Sequence, residues 1–126
     1  MNVLAIDPAN RTGFAHSDGH KGVECITRAV DNHPGLRLIR FEEWLVEMLA
    51  HHPTDLIAAE DASFGSPNPS IQAMHNELRG IIHLVAAEHH IKVKLFQPTS
   101  IKVHATGRGN AKKPEMVKAC QDKRLF

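Results

Sequence analysis

The sequence contains few cysteines and no long hydrophobic run. Its two cysteines, Cys25 and Cys120, form no C-x-x-C pattern, which is typical of free thiols in a reducing cytoplasm. No uninterrupted apolar stretch approaches the ~20 residues that cross a membrane. Asp7 and Arg11 follow the first methionine too closely for a secretory signal peptide. We therefore expect a cytoplasmic protein that does not associate with a membrane.

The sequence also lacks repeats, low-complexity tracts and linker-like segments. With 126 residues, of which 42% are hydrophobic and 23% charged, the composition is that of one globular domain over residues 1–126. A chain of this length buries roughly two-thirds of the surface that it exposes when unfolded. It can therefore form a substantial core.

The basic residues are concentrated near the end of the sequence. Residues 1–96 contain eight Lys or Arg and twelve Asp or Glu, a net charge of −4, whereas residues 97–126 contain seven and two, a net charge of +5. This asymmetry indicates a polyanion-binding site in the basic segment. The alternative is an ordinary solvated helix face, and the charge pattern alone does not decide between them.

The first part of the sequence predicts three strands. Residues 3–6 form a continuous apolar run, and residues 12–16 and 23–28 are two further extended segments. The SDGHKG stretch between the last two contains the Asp-Gly pair of a hairpin turn. Together these segments predict an antiparallel meander.

The middle of the sequence alternates helices with strands. The stretch GLRLIRFEEWLVEMLAHH has apolar residues at helical spacing, namely Leu38, Phe41, Leu45 and Met48. Pro53 ends that helix. The apolar run at residues 56–59 then predicts a fourth strand.

A long helix is predicted next, over residues 70–90. Asn68 is a suitable N-cap and Pro69 a suitable first helical residue. We expect its buried face to consist of Ile71, Met74, Leu78, Ile81 and Val85. IKVKLF alternates like a half-exposed strand, and the basic segment predicts a short helix, a glycine-rich loop and a final helix. The order β-β-β-α-β-α-β-α predicts an α/β fold, a mixed sheet with helices packed on it.

Two buried strands of this predicted sheet end on a carboxylate, Asp7 after the first and Glu60 after the fourth. If these strands are parallel neighbours, a right-handed crossover brings both acids to one sheet edge, where such sheets bind ligands. Neighbouring carboxylates repel each other unless a cation lies between them, and oxygen ligands favour Mg²⁺ or Mn²⁺. The alternative is that each acid caps a loop independently. Asp61 would point to the opposite face and is expected only as a reserve ligand.

Three stretches resemble the RuvC-type Holliday-junction resolvases of the ribonuclease-H-like fold: LAIDPANRTGFA, IAAEDASFGSPNPSIQAMHNELRGII and FQPTSIKVHATGRGNAKKPEMVKA. The likeness extends from Val3 to Ala119, in the family's order and spacing. It implies a ribonuclease-H-like mixed sheet, an antiparallel meander plus parallel strands, with helices packed on it. It also implies a structure-selective DNA endonuclease that resolves four-way junctions by Mg²⁺-dependent phosphodiester hydrolysis.

The resemblance also implies roles for individual residues. Asp7 and Glu60 would be ligands of the catalytic Mg²⁺ (or Mn²⁺). Lys102 and Lys113 match the two basic positions of the family's active site, which contact the region of the scissile phosphate. Phe64 would wedge against bases at the branch point of the DNA.

Further residues are expected at the DNA backbone and at a subunit interface. Arg108, Lys112 and Arg79 would hold phosphates, and His104 is the one histidine expected near DNA. The helix over residues 70–90 would form the core of a homodimer.

For several of these residues the sequence leaves an ordinary structural role open. Phe64 equally suits a core residue that pins its loop, and Lys102 and Lys113, each taken singly, better suit the solvated surface. Gly80, inside the long helix, suits either a dimer interface or close packing on the sheet. The ten histidines match no zinc motif, so we expect no zinc site.

The sequence departs from the family near its end. Relatives carry further carboxylates or a histidine on a later helix, whereas this sequence ends on KACQDKRLF, where Asp122 comes too early to replace them. We therefore expect a domain without the C-terminal acidic helix, either a fragment or a shortened form, and a weak or inactive nuclease. The rival functions are a catalytically inactive junction-binding module and a related nuclease that acts on RNA or linear DNA.

Overall fold

The computed structural model describes residues 1–61 and 68–96. These residues form five strands and two helices: β1 (Val3–Asp7), β2 (Arg11–His16), β3 (Lys21–Cys25), α1 (Leu36–His51), β4 (Leu56–Glu60), α2 (Pro69–Glu88) and β5 (Lys92–Phe96). Their order confirms the predicted one as far as β5. The predicted glycine-rich loop and final helix lie outside the described residues.

The five strands form one mixed sheet in the order β3-β2-β1-β4-β5. Strands β1, β2 and β3 form the predicted antiparallel meander. The β1–β4 and β4–β5 pairs are parallel, and α1 and α2 lie in the crossover connections that parallel neighbours require. The predicted sheet is confirmed, including the neighbouring positions of β1 and β4.

The third strand differs from its prediction. The predicted range, residues 23–28, is wrong, because the strand starts earlier, directly after a tight turn. The turn is closed by the His16 N–H, which donates to the His20 carbonyl at 2.7 Å, and Gly19 adopts the left-handed φ of +99° within it. The strand also ends earlier, because Ile26 leaves the ladder to become fully buried in the core.

Helix α1 packs the apolar face that its spacing predicts. Phe41, Leu45 and Met48 are buried, together with Leu49. The fully buried ring of Phe41 makes it one of the largest side chains in the core. The chain leaves the helix before Pro53, as predicted.

Helix α2 begins as predicted, but its buried face differs in part. The Asn68 Oδ1 caps the helix by accepting the Ser70 N–H at 2.9 Å. The buried residues are Met74, Leu78, Ile82, Val85 and Ala86. Ile71 was expected among them and is 41% exposed. Ile71 lies in the first turn of this 20-residue helix, which is about 30 Å long and therefore much longer than a five-residue strand of about 17 Å. Ile81 is only half-buried, since its neighbour Ile82 lies nearer the centre of the buried face.

One face of the sheet forms the core with both helices. Leu4 and Ile6 of β1 and Ile57 and Ala59 of β4 belong to the same buried cluster as residues of α1 and α2. Successive side chains of a strand point to opposite faces. The odd-numbered residues of β1 and the even-numbered residues of β4 therefore lie on the face away from the helices.

The segment between β3 and α1 is anchored by an ion pair. Arg40 of α1 binds Asp31 through two hydrogen bonds and donates another to the Ile26 carbonyl at 2.8 Å. The Arg40 guanidinium, followed by the Arg28 backbone N–H, lowers the pKa of Asp31 to about 2. The carboxylate of Asp31 therefore stays ionised down to strongly acidic pH.

Neither helix in the described part of the chain has the length and hydropathy of a membrane span. Cys25 is an exposed free thiol whose Sγ donates to the Thr27 carbonyl at 3.4 Å. Cys120 lies outside the described residues, so its state stays a prediction, as does the cytoplasmic location.

Candidate active site

Asp7 and Glu60 occupy equivalent positions at the carboxyl ends of two neighbouring inner strands of the sheet. Strands β1 and β4 are parallel, with Ile6 opposite Ala59, and Asp7 and Glu60 are the next residues of the same register. Adjacent strands lie about 4.7–4.9 Å apart, so one cation can reach both carboxyl groups. The predicted placement at a shared edge is confirmed, while the metal-binding role stays a prediction.

Both carboxylates lie on the sheet face away from the helices. Ile6 and Ala59 point into the helical core, so the residues that follow them point the other way. Asp7 and Glu60 are half-buried. The partner of Asp7 on β2 is Gly13, which has no side chain to crowd the carboxylate. The arrangement is a half-buried pair of oxygen donors on neighbouring strands, a donor set that suits Mg²⁺ or Mn²⁺.

The loop beyond Asp7 is fixed by hydrogen bonds of its own. The hydroxyl of the fully buried Thr12 donates to the Ala9 carbonyl at 2.7 Å, and the Ala9 N–H donates to the Thr12 hydroxyl oxygen at 3.3 Å. The Ile26 N–H donates to the Asn10 carbonyl at 3.0 Å. These bonds hold the chain directly after the strand and thereby help to fix the position of the carboxylate.

Asp61 follows Glu60 and faces α2. Its N–H extends the β4–β5 ladder by donating to the Phe96 carbonyl at 2.7 Å, and its carboxylate accepts a hydrogen bond from Arg79 Nη1 at 2.9 Å. Arg79 also donates to the Asn76 Oδ1 at 3.0 Å. The ion pair agrees with the expectation that Asp61 points to the face opposite Glu60, and it places Arg79 at the same end of β4 as Glu60.

The remaining predicted site residues lie outside the described residues: Phe64, Lys102, His104, Arg108, Lys112 and Lys113. Of the predicted set, the structure places Asp7, Glu60 and Arg79, all at the same end of the sheet. The roles of the others stay predictions.

A second group of ionisable side chains lies at the opposite end of the sheet. His16 ends β2, Asp18 lies in the turn that follows and His52 directly follows α1. Each offers a ligand atom, and these atoms lie within 4.8 Å of one another. Burial raises the pKa of Asp18, but hydrogen bonds from the His52 ring and the His20 N–H outweigh burial and lower this pKa to about 2. Sequence spacing does not reveal the group, because Asp18 and His52 are 34 residues apart.

The fold matches solved structures of RuvC proteins. Thermus thermophilus RuvC superimposes with a TM-score of 0.76 and 23% sequence identity, over 97% of this chain and 81% of that chain. T. thermophilus RuvC in complex with a Holliday junction substrate superimposes with a TM-score of 0.77 and 19% identity, over 97% and 78%. With its mixed sheet and two helices, the described part of this chain therefore has the ribonuclease-H-like fold.

The sequence comparisons define the family. The family model of the crossover junction endodeoxyribonuclease RuvC matches residues 3–122. The crossover junction endodeoxyribonuclease RuvC of Rhodopirellula baltica is 31% identical over 122 residues, which cover 90% of this chain and 68% of that protein. The chain belongs to the RuvC family, and the resemblance seen in its sequence motifs is confirmed.

Proposed function

We propose that this protein is a structure-selective DNA endonuclease that resolves four-way junctions by Mg²⁺-dependent phosphodiester hydrolysis, with residues 1–126 in a single nuclease domain. Membership of the RuvC family supports this function, and a solved relative is described in complex with a Holliday junction substrate. The structural observation that carries the proposal is the matched pair Asp7 and Glu60 at the ends of adjacent parallel strands.

Asp7 and Glu60 would hold the metal ion. Their oxygen donors suit Mg²⁺ or Mn²⁺, and a cation between them relieves the repulsion of two neighbouring carboxylates. Such an ion, when bound, stabilises the charge that develops on the attacking and leaving oxygens of a phosphodiester. Two protein ligands leave much of the coordination shell to water and phosphate.

Arg79 would hold a DNA phosphate at the same end of the sheet as the carboxylate pair, on the face that carries the helices. Its side chain is 30% exposed and is anchored by Asp61. A guanidinium has five N–H donors, of which the described contacts use one toward Asp61 and one toward Asn76. Asp61 thus holds the cation at the end of β4, and the further donors suit the oxygens of a phosphate.

The basic segment would supply the other DNA contacts. Its net charge of +5 over residues 97–126 supports a phosphate-binding role. By their match to the family, Lys102 and Lys113 would lie at the scissile phosphate, and the neighbouring contacts would come from His104, Arg108 and Lys112. Phe64 would stack on an unpaired base at the branch point, an interaction worth about 1–3 kcal/mol.

Helix α2 would form the core of a homodimer. Its surface away from the sheet carries a stripe of exposed small and apolar residues: Ala73, Gly80, Leu84 and Ala87. A Cβ added at Gly80 would meet nothing within 4 Å among residues 1–61 and 68–96, so packing within this part of the chain does not need a glycine there. Leu84 is 51% exposed. Small side chains allow the axis of a second helix to approach closely, which supports an interface on this stripe.

Cleavage of four-way, forked and linear DNA in Mg²⁺ or Mn²⁺ tests the proposed activity. We expect paired nicks in the four-way junction, faster than in either other substrate, and loss of cleavage in Asp7→Asn. Glu47→Gln, which changes an exposed carboxylate of α1, is the matched control and is expected to cleave at the parent rate.

Two other outcomes would favour the rival functions. Equal cleavage of all three substrates would identify a nuclease without junction selectivity. Tight junction binding without cleavage, also by a version of the chain extended past Phe126, would identify a junction-binding module.

A further inference from the structure

We propose that His16, Asp18 and His52 form a binding site for a divalent transition-metal ion of the zinc class, separate from the carboxylate pair. We call these three residues the histidine cluster. The cluster lies at the end of the sheet where β2 leads into the β2–β3 turn, next to the end of α1. The proposal is independent of the proposed nuclease activity.

The distances within the histidine cluster suit one small ion. The Asp18 Oδ1 lies 3.1 Å from His16 Nδ1, and the Asp18 Oδ2 lies 2.6 Å from His52 Nδ1. Ligands bound tetrahedrally to Zn²⁺ at its usual bond lengths lie about 3.3–3.6 Å apart. A slight opening of the cluster therefore accommodates the ion between Asp18 and the two imidazoles, once the proton that the His52 ring donates to Asp18 has left Nδ1.

The tautomer of His16 is set by the neighbours of its Nε2. The Pro53 carbonyl lies 3.1 Å from this nitrogen and the Thr54 Oγ1 lies 3.2 Å from it. The Thr54 hydroxyl gives its own proton to the His52 carbonyl at 2.7 Å, so toward His16 it accepts. Both neighbours are acceptors, so Nε2 carries the proton and Nδ1 keeps the lone pair that a metal needs. An imidazole whose second nitrogen donates to a carbonyl is the usual arrangement around bound metals.

The lone pair of His16 Nδ1 faces both the backbone N–H and the carboxylate of Asp18. It accepts the Asp18 backbone N–H at 3.0 Å, and it lies 3.1 Å from the Asp18 carboxylate. Two electron-rich atoms at that distance repel each other unless a cation lies between them. A metal ion removes this repulsion, at the cost of the N–H contact. The N–H belongs to an exposed turn, where water can replace the lost partner.

The remaining contacts orient the ligands before an ion binds. The Asp18 carboxylate accepts the His20 N–H at 2.9 Å. The His20 ring stacks on the His52 ring with centroids 4.5 Å apart and an interplanar angle of 6°. The Thr54 hydroxyl donates a hydrogen bond to the His52 carbonyl. Two imidazoles and a carboxylate favour Zn²⁺ over Mg²⁺, and three protein ligands leave a fourth position for water. The ion would join the β2–β3 turn to the end of α1.

Zinc titration by calorimetry, with Co²⁺ absorption as a second probe, tests the proposal. The wild-type chain is expected to bind one equivalent tightly and to show the absorption of tetrahedral Co²⁺. Asp18→Asn and His52→Asn are expected to weaken this binding at least about 100-fold, beyond the 10–100-fold typical of losing a group that only orients a ligand. Both side chains are partly exposed, so the fold should tolerate the changes, as circular dichroism can verify.

Two controls separate this site from others. His51→Asn changes the neighbouring exposed histidine and should leave the affinity for the one tightly bound Zn²⁺ unchanged. The double variant Asp7→Asn/Glu60→Gln should also leave this affinity unchanged. Wild-type affinity in Asp18→Asn and His52→Asn, equal weakening by His51→Asn, or no tetrahedral Co²⁺ spectrum would each overturn the proposal. The first two results would indicate diffuse binding by the ten histidines.

Discussion

The two ends of the sheet differ in the atoms that they offer and in how they hold them. At the carboxyl ends of β1 and β4, Asp7 and Glu60 provide oxygens only, from strands paired with neighbours on both sides. At the other end the histidine cluster provides nitrogens as well as oxygen. Oxygen donors suit hard ions such as Mg²⁺, whereas imidazole suits Zn²⁺ and other transition metals. The two ends of the sheet thus offer donor sets that suit two different kinds of metal ion.

The two ends also differ in how their geometry is maintained. The carboxylate pair is fixed by the β1–β4 ladder, which sets the register of both residues together. In the histidine cluster only His16 lies on a strand, and Asp18 and His52 are positioned by hydrogen bonds to one another and to neighbouring backbone groups. A ladder is harder to distort than a turn, because a distortion would have to change several backbone hydrogen bonds together. We expect the carboxylate pair to be rigid and the histidine cluster to be tightened by an ion.

The largest expected effect is the difference in junction cleavage between a substitution at the carboxylate pair and one at the histidine cluster. Glu60→Gln removes one of two charged ligands at the proposed catalytic ion and is expected to slow four-way junction cleavage at least about 100-fold. Asp18→Asn is expected to leave that rate within about twofold of the parent, since its carboxylate lies at the other end of the sheet. Single-turnover cleavage in Mn²⁺ measures both. Equal losses in the two variants would show that the ends are not functionally separate.

The Arg79–Asp61 ion pair should give the next largest effect. Its side chains are only 30% and 20% exposed, so Arg79→Met removes a cation that binds a half-buried carboxylate. We expect a loss of about 1 kcal/mol in the free energy of unfolding. Urea denaturation of Arg79→Met, Asp61→Asn and the double variant measures the coupling. If the stability loss of the double variant equals the sum of the two single losses, the two side chains have no coupling energy.

Replacing Gly80 sharpens the dimer proposal. The methyl group of Gly80→Ala meets none of the residues that the structure describes, and alanine stabilises a helix interior by about 0.8–1 kcal/mol relative to glycine. We expect a more stable monomer and a weaker dimer, because the added methyl groups separate the two helices. His83→Ala, at an exposed position beside the stripe, is the matched control.

Thermal unfolding and sedimentation equilibrium separate the two effects of Gly80→Ala. A variant that gains stability and dimerises like the parent would place the interface elsewhere.

The smallest effects concern acid stability. The pKa values of Asp18 and Asp31 fall from 3.8 to about 2 on folding. Each carboxylate therefore stabilises the fold above about pH 4, and this contribution disappears as the pH falls to about 2. Asp31→Asn should lower stability at pH 7 and make the fall between pH 4 and pH 2 shallower, and Asp18→Asn should do the same more weakly because Asp18 is more exposed.

Chemical denaturation at several pH values measures these slopes. Glu47→Gln is the control and should keep the parent slope. An unchanged slope in Asp31→Asn would show that its pairing with Arg40 is not what stabilises the fold in this range.

The sequence predicts the carboxylate end well and the histidine end poorly, for a physical reason. Continuous apolar runs mark β1 and β4, and a parallel pairing with a crossover helix leaves little freedom in where their last residues lie. The position of β3 depends instead on the length of one turn, and its predicted range is wrong. The histidine cluster depends on that same turn and on where α1 ends, so no local pattern indicates it.

Anomalous diffraction from crystals grown with Mn²⁺ tests the central claim most directly, namely that Asp7 and Glu60 share a metal ion. The account predicts a Mn²⁺ peak bonded to both carboxylates at the shared edge of β1 and β4, and its loss in Glu60→Gln crystals. Oxygen ligands hold such ions at about 2.0–2.6 Å, so the peak position identifies its ligands without ambiguity. A peak that contacts neither carboxylate, or an ordered Asp7–Glu60 pair without Mn²⁺ at saturating concentration, would contradict the account.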